Sequence, residues 1–252
     1  MNTRPGNLAL PKALSLQGKR ALVAGAAGGI GRAAAVCLAE LGADLVLADR
    51  ATLDDTRAEV EAVGRTAVML QGDLTDEGFL QRIVASGPYF SVAYVAGVFR
   101  GPEGASPQEA FDFVMHVNVR AALILGGALI DQMSGGYMVL VGSTAGRSGA
   151  GRLGTETEYA TYAASKGAVH TLVRVLARRG AAKGILVNGV APGLVRTPML
   201  HSVRPDADAP GRTGIRPADP QELGWPIALL CSPMASYISG AIVDVNGGSF
   251  IG

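Results

Sequence analysis

The sequence contains only two cysteines in 252 residues, Cys37 and Cys231, and they lie far apart along the chain. So few cysteines exclude a disulfide-stapled scaffold and a cysteine-rich zinc site, and they suit a reducing compartment. An excess of positive charge is also missing, because 22 Lys and Arg residues balance 21 Asp and Glu residues for a net charge of +1. Nucleic-acid binding requires a basic surface, so this balance disfavours that class. A hydrophobic content of 48% argues against an acidic disordered protein and allows a large core.

A long apolar run and a secretory signal are absent as well. The longest uncharged apolar run is Ala121–Ile130, about half the length that a bilayer requires. The first residues, MNTRPGNLALPK, place no apolar region after the charge and do not match a secretory signal. We therefore expect a soluble cytoplasmic protein. Residues 1–18 contain two prolines and two glycines without periodicity, which predicts an N-terminal arm.

Short apolar runs recur along the chain and alternate with segments of helical period. A run that is apolar at consecutive positions is typical of a strand covered on both faces of a sheet. In the first helical segment, apolar residues from Ile30 to Leu41 recur at the spacing of one helix face. The seven predicted strands are Arg20–Ala24, Leu45–Ala48, Ala67–Leu70, Val92–Ala96, Met138–Val141, Leu186–Val190 and Ile242–Val245. The later helical segments are roughly Ala51–Val63, Gln108–Asp131, Tyr159–Arg179 and Pro220–Leu230.

This alternation requires crossover connections between parallel strands. It predicts an α/β fold: a doubly wound, seven-stranded parallel sheet of the Rossmann type with helices on both faces. No linker or repeat divides the chain, so we predict one domain over residues 19–252. The stretch Met199–Pro217 breaks the pattern with many Pro, Asp, Arg and Gly residues. Such a stretch is typical of a lid or substrate loop, and the alternative is a surface excursion.

A glycine-rich turn, Gly25-Ala26-Ala27-Gly28-Gly29-Ile30-Gly31, follows the first predicted strand. Its glycines allow a tight turn and the close approach of a pyrophosphate to backbone N–H groups. The helix that begins here would meet this negative ligand with its partial positive charge. A glycine-rich turn alone is a common structural feature. Its place at the first strand-to-helix junction favours dinucleotide binding.

An acidic residue, Asp49, ends the second predicted strand, 18 residues after Gly31. This is close to the distance expected for a carboxylate that binds the ribose hydroxyls of adenosine. A carboxylate there would repel a 2′-phosphate, and the turn carries no Arg or Lys to receive one, so we expect NAD(H) rather than NADP(H). Arg50 is the counterargument, because its side chain could turn toward such a phosphate. Asp49 could instead cap a helix that begins at Ala51.

Two further strand ends carry candidate cofactor contacts. Asp73, followed by Leu74, comes after the third strand and could bind the adenine amino group or cap a helix that begins near Thr75. Ala96 and Gly97 follow the fourth strand, where small residues leave space for a cofactor or simply form a turn.

The pair Tyr162 and Lys166 carries the clearest chemical signal. The two residues are four apart, so on a helix both project from one face. A nearby cation lowers the pKa of a tyrosine from its ordinary value of about 10 and makes the phenol a better proton donor and acceptor near neutral pH. Ser143 follows the fifth strand, where its hydroxyl could orient a substrate carbonyl. A solvated helix face would explain the Tyr-Lys spacing alone, but not its combination with Ser143, Asp49 and the glycine-rich turn.

From about Gly18 to Gly252, the chain resembles the classical short-chain dehydrogenase/reductase family. The matching motifs are Gly25-x-x-x-Gly29-Ile30-Gly31, Asp73-Leu74, Asn118, Ser143, Tyr162-x-x-x-Lys166, Asn188-x-x-x-Pro192-Gly193 with Thr197, and Val245-Asn246-Gly247-Gly248. By this resemblance, Tyr162 is the catalytic acid and base and Ser143 polarises the substrate oxygen. Lys166 would lower the pKa of Tyr162 and bind the nicotinamide ribose. Asn118 would hold a water that links Lys166 to solvent.

The resemblance also implies where the nicotinamide and a second subunit bind. The nicotinamide would be surrounded by Pro192, Gly193, Val195 and Thr197. Similar enzymes are commonly tetramers or dimers built from two long helices, here Gln108–Asp131 and Tyr159–Arg179. Four leucines on these helices could cover a partner or face the sheet: Leu123, Leu125, Leu172 and Leu176.

Two departures from the family pattern affect the cofactor cleft. Ala24 replaces the usual threonine before the first glycine, which removes a hydroxyl from the turn. Tyr94-Val95 stands where the family usually has an asparagine pair. Both side-chain amides are therefore missing, and polar groups at the centre of the sheet need other hydrogen-bond partners. Without the resemblance, Asn118 would be interpreted as a buried amide that satisfies backbone groups.

A third departure lies beside the predicted catalytic residues. Ser143 and Tyr162 are 19 residues apart, a wider spacing than is usual, and the excess lies in the polar, glycine-rich segment Gly146–Glu158. This insertion could shape the substrate entrance, serve an oligomer contact or be a neutral surface feature. Tyr159 is a neighbouring tyrosine, but only Tyr162 lies four residues before Lys166.

The histidines do not form a metal-binding pattern. They are separated along the sequence at His116, His170 and His201. His170 lies four residues after Lys166, although packing or solvent explains it better, and His201 lies in the predicted loop, where it could touch substrate. We expect no metal site.

Together these features predict an oxidoreductase that transfers a hydride between NAD(H) and a small secondary alcohol or ketone, with Tyr162 as acid and base. One alternative is an NADP(H)-dependent ketoreductase that acts on a 3-oxoacyl thioester. Another is a non-catalytic NAD-binding regulator, which the altered Tyr94-Val95 pair favours. The joint presence of Ser143, Tyr162 and Lys166 disfavours that regulator.

Overall fold

The computed structural model of the protein describes residues 12–149, 156–203 and 215–252. Parts of the predicted arm (1–11), of the predicted insertion (150–155) and of the predicted loop (204–214) lie outside the described residues. Leu16, in the described part of the predicted arm, is fully buried. Its N–H donates a hydrogen bond to the Leu41 carbonyl at 2.7 Å, so this segment packs against the domain.

All seven predicted strands are present and form one parallel sheet. In chain order they are β1 (Arg20–Ala24), β2 (Asp44–Asp49), β3 (Ala67–Gln71), β4 (Ser91–Tyr94), β5 (Gly136–Val141), β6 (Ile185–Pro192) and β7 (Ile242–Val245). Their order across the sheet is β3-β2-β1-β4-β5-β6-β7. The direction of strand addition therefore reverses between β1 and β4, which are paired neighbours. In open sheets of this kind, ligands bind in the crevice that forms at the carboxyl ends of the strands at such a reversal.

Helices cover both faces of the sheet, which confirms the predicted doubly wound α/β fold. They are α1 (Gly29–Glu40), α2 (Asp54–Ala62), α3 (Glu77–Ala85), α4 (Pro107–Met115), α5 (Ala121–Gln132), α6 (Ala145–Ser148), α7 (Glu156–Gly180), α8 (Pro198–Val203) and α9 (Gln221–Leu230). In β1, Val23 packs in the core with residues of α1 and α9, whereas Leu22 packs in the core with residues of α5 and α7. Both side chains are fully buried, so the strand is apolar at consecutive positions.

Some boundaries differ from the prediction. α2 begins at Asp54 rather than at Ala51, with Leu53 as its N-cap. α3 begins at Glu77, after the predicted start near Thr75. The stretch from Met199 onward was predicted to be irregular, but its first residues belong to α8. A polar contact at the start of α8 stabilises this helical turn, and apolar periodicity does not reveal such a contact. In that contact, the Leu200 N–H donates to Thr197 Oγ1 at 3.3 Å.

The long helix predicted over Gln108–Asp131 is present, but a π-turn at His116–Arg120 separates α4 from α5. Ser106 starts this helical segment with a capping box that includes Glu109. By length and composition alone, Pro107–Gln132 is long and apolar enough to cross a membrane. However, 56% of its most apolar window is buried inside the protein, which is typical of a core helix.

One buried hydrogen bond fastens α2 to the glycine-rich turn. Thr56 is fully buried, and its hydroxyl donates to the Ala26 carbonyl at 2.8 Å. The hydroxyl thus satisfies a carbonyl in the turn that follows β1, and the position of α2 is linked to the shape of that turn.

We expect Thr56→Val to lower the free energy of unfolding by about 1–3 kcal/mol, because the buried Ala26 carbonyl loses this partner while the side-chain volume is kept. Urea denaturation measures the change. Thr171→Val is the matched control, since the Thr171 hydroxyl bonds the Gly167 carbonyl at an exposed position. Equal losses of stability in the two variants would contradict the prediction.

Candidate active site

The carboxyl ends of β1 to β4 border a cavity of about 250 Å³. Twelve of the predicted cofactor-binding residues line it: Gly25, Gly28, Gly29, Ile30, Gly31, Asp49, Arg50, Asp73, Leu74, Ala96, Gly97 and Thr197. Six further residues that were not predicted to bind the cofactor also line it: Val95, Val98, Phe113, Val117, Pro198 and Met199. Of these, Met199 begins the predicted substrate loop. Phe113 and Val117 have no distinguishing sequence signal, because apolar residues on a helix are ordinary core positions.

Glycine is required at two positions of the turn between β1 and α1. Gly25 has a φ of +89°, and a Cβ atom there would collide with the backbone of Ala96. A Cβ atom on Gly31 would collide with the Gly25 carbonyl. The N-cap of α1, Gly28, supplies no side-chain hydrogen bond, and the first turn of α1 contains no acidic residue. The positive end of this helix is therefore open to an anionic ligand.

Asp49 lies at the end of β2 and holds the glycine-rich turn. One carboxylate oxygen accepts a hydrogen bond from the Ala27 N–H at 3.0 Å, and the other accepts one from the Ala51 N–H at 3.0 Å. The N-cap of α2 is Leu53, so the alternative prediction that Asp49 caps this helix is wrong. Asp49 also lines the cavity, beside Arg50.

Asp73 lines the same cavity and organises its own turn. Its Oδ1 accepts hydrogen bonds from the N–H and the hydroxyl of Thr75, both at 2.8 Å. The N-cap of α3 is Asp76, whose side chain accepts a bond from Gly78, so the alternative that Asp73 caps this helix is wrong. The Asp73 carboxylate thus shapes the wall of the cavity at the end of β3.

The structure brings Ser143, Tyr162 and Lys166 together at the end of β5. The Tyr162 hydroxyl is hydrogen-bonded to the Ser143 side chain. Lys166 is buried, with its Nζ atom 5.8 Å from the centroid of the Tyr162 ring. This amine donates a hydrogen bond to the Val141 carbonyl at 2.9 Å. Serine and tyrosine therefore meet although they are 19 positions apart in the sequence.

Burial controls the proton affinities of these groups. It raises the pKa of Tyr162, and because the hydrogen bond with Ser143 only partly offsets this effect, the resulting pKa is about 12. Burial also lowers the pKa of Lys166 to about 8. The sequence predicted that Lys166 lowers the pKa of Tyr162. The structure does not show that lowering: removal of the phenolate from water raises the pKa instead, and the neighbouring Tyr159 acts in the same direction.

Asn118 acts as a clamp between three segments. Its Oδ1 atom accepts a hydrogen bond from the Val98 N–H at 2.7 Å, and its Nδ2 atom donates to the Val98 carbonyl and to the Ser165 hydroxyl, each at 2.9 Å. The side chain therefore satisfies backbone groups, as the simpler interpretation of Asn118 proposes. It also joins the loop after β4 to the residue beside Lys166.

The residues predicted to surround the nicotinamide occupy the end of β6 and the loop beyond it. Thr197 approaches the glycine-rich turn so closely that a Cβ atom on Gly29 would lie 2.9 Å from its Cγ2 atom. Thr197 thereby closes one side of the cavity. The other three do not line the cavity itself: Pro192, Gly193 and Val195.

His170 packs against the backbone of Ser143. The Ser143 N–H donates to the His170 Nε2 atom at 3.4 Å in a buried contact. Burial, together with the charges of Arg147, Arg174 and Lys166, lowers the pKa of His170 to about 4. The ring is therefore neutral at physiological pH and accepts this hydrogen bond. Of the other histidines, His116 contacts Arg120 and His201 is exposed on α8.

Comparisons with known proteins agree with this arrangement. The family model described as enoyl-(acyl carrier protein) reductase matches residues 25–249. 2-Dehydro-3-deoxy-D-gluconate 5-dehydrogenase from Pseudoalteromonas atlantica is 31% identical over 256 residues, which cover 93% of this chain and 96% of that protein. The structure of 7α-hydroxysteroid dehydrogenase with NADH and 7-oxo glycochenodeoxycholic acid superposes with a TM-score of 0.82 at 29% identity, over 94% of this chain and 96% of that one.

A second solved structure comes from Beutenbergia cavernae and is assigned as an NAD(P)-dependent gluconate 5-dehydrogenase with NADP at low occupancy. It superposes with a TM-score of 0.80 at 32% identity, over 94% of this chain and 98% of that one. The chain therefore belongs to the short-chain dehydrogenase/reductase family. Its reaction is hydride transfer between a nicotinamide dinucleotide and an alcohol or carbonyl group of a small molecule.

We expect acidification from about pH 6.5 to about pH 4 to destabilise the fold through His170. Its folded pKa of about 4 lies below the ordinary value of 6.5, so the unfolded chain binds more protons in this window. The contribution reaches about 3 kcal/mol at the acid end. Urea denaturation at several pH values should show that His170→Gln removes this part of the pH dependence.

The exposed His201 provides the control variant, His201→Gln. This variant should follow the pH dependence of the wild type. If His170→Gln kept the full acid sensitivity, His170 would not be a buried neutral acceptor.

Proposed function

We propose that the protein is an NAD(H)-dependent dehydrogenase of a secondary alcohol, or a reductase of the corresponding ketone, with Tyr162 as the acid and base. The observation that carries this proposal is the hydrogen bond between Ser143 and Tyr162 beside the buried amine of Lys166. A hydroxyl hydrogen-bonded to a phenol, with an amine nearby, can bind a carbonyl oxygen and move a proton to or from it.

The chemistry of the cavity walls fits a dinucleotide. Gly25 and Gly31 have no side chains that would cover the backbone of the turn. The N-terminus of α1 has no acidic residue or side-chain cap, which suits a pyrophosphate. Asp49 and Asp73 supply carboxylates at the ends of β2 and β3, where ribose hydroxyls and an adenine amino group require acceptors. A bound nicotinamide would supply or accept the hydride.

The proposed mechanism assigns the proton transfer to Tyr162. In oxidation its phenolate takes the hydroxyl proton of the substrate, and in reduction its phenol returns a proton to the carbonyl oxygen. The Ser143 hydroxyl donates a hydrogen bond to the same oxygen and orients it. Lys166 favours the phenolate by its positive charge, which its pKa of about 8 preserves at neutral pH. A water relay past Asn118 stays a prediction.

We propose NAD(H) as the preferred cofactor because Asp49 faces the cavity with a fixed carboxylate. Both of its oxygens accept hydrogen bonds from backbone N–H groups, which fix the carboxylate in place. The carboxylate would therefore stay close to the 2′-phosphate of NADP and repel it. Arg50 lines the cavity as well and supports the alternative, an NADP(H)-dependent ketoreductase. The solved neighbours hold NADH in one case and NADP in the other.

We further propose a cytoplasmic homotetramer or dimer. Both cysteines are free and buried, which suits a reducing compartment. The four leucines on the two long helices divide: Leu125 and Leu176 are buried in the core, whereas Leu123 is 42% exposed and Leu172 is half-buried. Only Leu123 and Leu172 are therefore available to cover a partner.

Tyr162→Phe should reduce kcat by roughly 10²–10⁴-fold, because general acid–base catalysis is lost. Its dissociation constant for NAD should change little, since the glycine-rich turn and Asp49 are intact. Steady-state kinetics with a panel of secondary alcohols and a fluorescence titration with NADH measure the two quantities. Tyr159→Phe tests the neighbouring tyrosine and should retain most of the turnover.

Undiminished turnover in Tyr162→Phe would refute the role of Tyr162. A regulator that needs no chemistry would keep its biological function in the same variant. No hydride transfer by the wild type with either dinucleotide and any alcohol would refute the proposed activity.

Asp49→Ala should raise the ratio of kcat/KM with NADP to kcat/KM with NAD by at least roughly tenfold, which corresponds to about 1.4 kcal/mol of relieved repulsion. Kinetics with both cofactors measure this ratio. Asp55→Ala is the control for the loss of one negative charge, because Asp55 is paired with Arg32 on the exposed side of α2. An unchanged ratio in Asp49→Ala would overturn the assignment.

A further inference from the structure

Tyr94 occupies the end of β4, where a polar tie was predicted to be missing. Its side chain is buried, with 5% of its surface exposed, and its hydroxyl donates a hydrogen bond to the Val117 carbonyl at 3.0 Å. Burial raises the pKa of Tyr94, and the charge of Asp73 acts in the same direction. The hydroxyl therefore keeps its proton and acts as a donor at physiological pH.

The acceptor of this bond lies in the π-turn at His116–Arg120. There the Ala121 N–H reaches back five residues to the His116 carbonyl. A π-turn is rare, commonly lies at a functional site, and is less favourable than a regular α-helical turn. It therefore depends on contacts from outside the helix. Tyr94 supplies one such contact from the sheet.

The residue after Val117 is the clamp residue Asn118. Two hydrogen bonds join its amide to the backbone of Val98, so the loop after β4 is tied to the π-turn on the cavity side. Tyr94 ties the end of the same strand to the same turn from the core side. The strand end and the π-turn are thus fixed to each other at two points.

From Asn118 the connection continues into α7. The Ser165 hydroxyl accepts a bond from Asn118 and donates one to the Tyr162 carbonyl at 2.7 Å. Ser165 is fully buried and directly precedes Lys166. A continuous path of hydrogen bonds and one peptide unit therefore connects the Tyr94 hydroxyl to the helical turn that carries Tyr162 and Lys166.

We propose that Tyr94 is a positioning residue for catalysis: its hydroxyl fixes the π-turn, and through Asn118 and Ser165 it sets the position of Tyr162 and Lys166. This inference rests on the proposed function for its effect on turnover. Tyr94 itself does not touch the reacting atoms. In the family pattern an asparagine pair lies at this strand end. Here the Tyr94 hydroxyl stabilises the strand end instead, through its hydrogen bond to the Val117 carbonyl.

The first experiment compares two conservative variants of buried tyrosines. Tyr94→Phe should lower kcat roughly 10- to 100-fold with little change in KM or in the dissociation constant for NAD, because misplacement of a catalytic group affects chemistry more than binding. Tyr89→Phe is the matched control. The Tyr89 hydroxyl also donates to a buried carbonyl, that of Ile83 at 2.6 Å, but Tyr89 lies away from the cavity. It should lose stability and keep its kcat.

A merely structural role predicts a different result. Both variants would then lose similar stability in urea denaturation and both would keep kcat, which would overturn the proposal. An active Tyr94→Phe enzyme with unchanged kcat is therefore decisive against it. If the wild type itself shows no turnover, the proposed function fails, and the second experiment still tests the positioning.

The second experiment is hydrogen exchange measured by mass spectrometry over residues 114–122. Exchange should be faster in Tyr94→Phe than in the wild type and in Tyr89→Phe, because the π-turn has lost an external partner. Unchanged exchange in this peptide would overturn the proposal whether or not the enzyme is active.

A double-mutant cycle tests the path beyond the π-turn. Ser165→Ala interrupts the contact between Asn118 and the Tyr162 carbonyl. If Tyr94 acts through this path, the loss of kcat in the double variant should be clearly smaller than the product of the two single losses. Independent, multiplicative losses would refute the path.

Discussion

The burial of one amine is the constraint on which the catalytic region depends. Lys166 lies in the interior at the end of β5, where an ammonium ion is costly, and it donates a hydrogen bond to the Val141 carbonyl. Burial lowers its pKa, yet the group stays charged at neutral pH. The surroundings must therefore hold the amine close to Tyr162 while they leave it little water. Glycine at position 97 is part of this arrangement, because a Cβ atom there would lie 3.0 Å from the Lys166 Nζ atom.

The same region shows how a strand end is satisfied without its usual amides. Tyr94 reaches the Val117 carbonyl, and Asn118 bonds both backbone groups of Val98. One contact uses a long aromatic side chain from the sheet and the other uses an amide from the helix. The two contacts involve consecutive residues of the π-turn, Val117 and Asn118.

The cofactor side of the cleft follows a different rule. There the surface is formed by backbone atoms, and it requires residues without side chains. A Cβ atom at Gly25 or at Gly31 would collide with neighbouring backbone atoms. Asp49 combines two tasks, because it fixes the Ala27 N–H and presents its carboxylate to the cavity. Its structural contact therefore keeps in place the group on which the proposed cofactor preference depends.

Local rules made much of the molecule predictable. The central strands could be predicted because they are covered on both faces, whereas the edge strands β3 and β7 are mostly apolar but partly exposed. The glycine-rich turn could be predicted because only glycine fits at Gly25 and Gly31. The spacing of Tyr162 and Lys166 guarantees a shared face on any helix. By contrast, α8 is closed by the polar contact at Thr197, and α2 begins later than its sequence indicates. Such boundaries depend on single contacts that periodicity does not encode.

The sequence by itself thus determined the order of strands and helices, the open turn for an anion and the pairing of a phenol with an amine. Tertiary structure alone decided that Ser143 meets Tyr162, that His170 lies beneath Ser143, and that Tyr94 holds the π-turn. It also decided the proton affinities, because burial raises the pKa of Tyr162 more than the hydrogen bond with Ser143 lowers it. Burial and hydrogen bonding are made by segments far apart in the chain, and their outcome exists only once those segments have packed together.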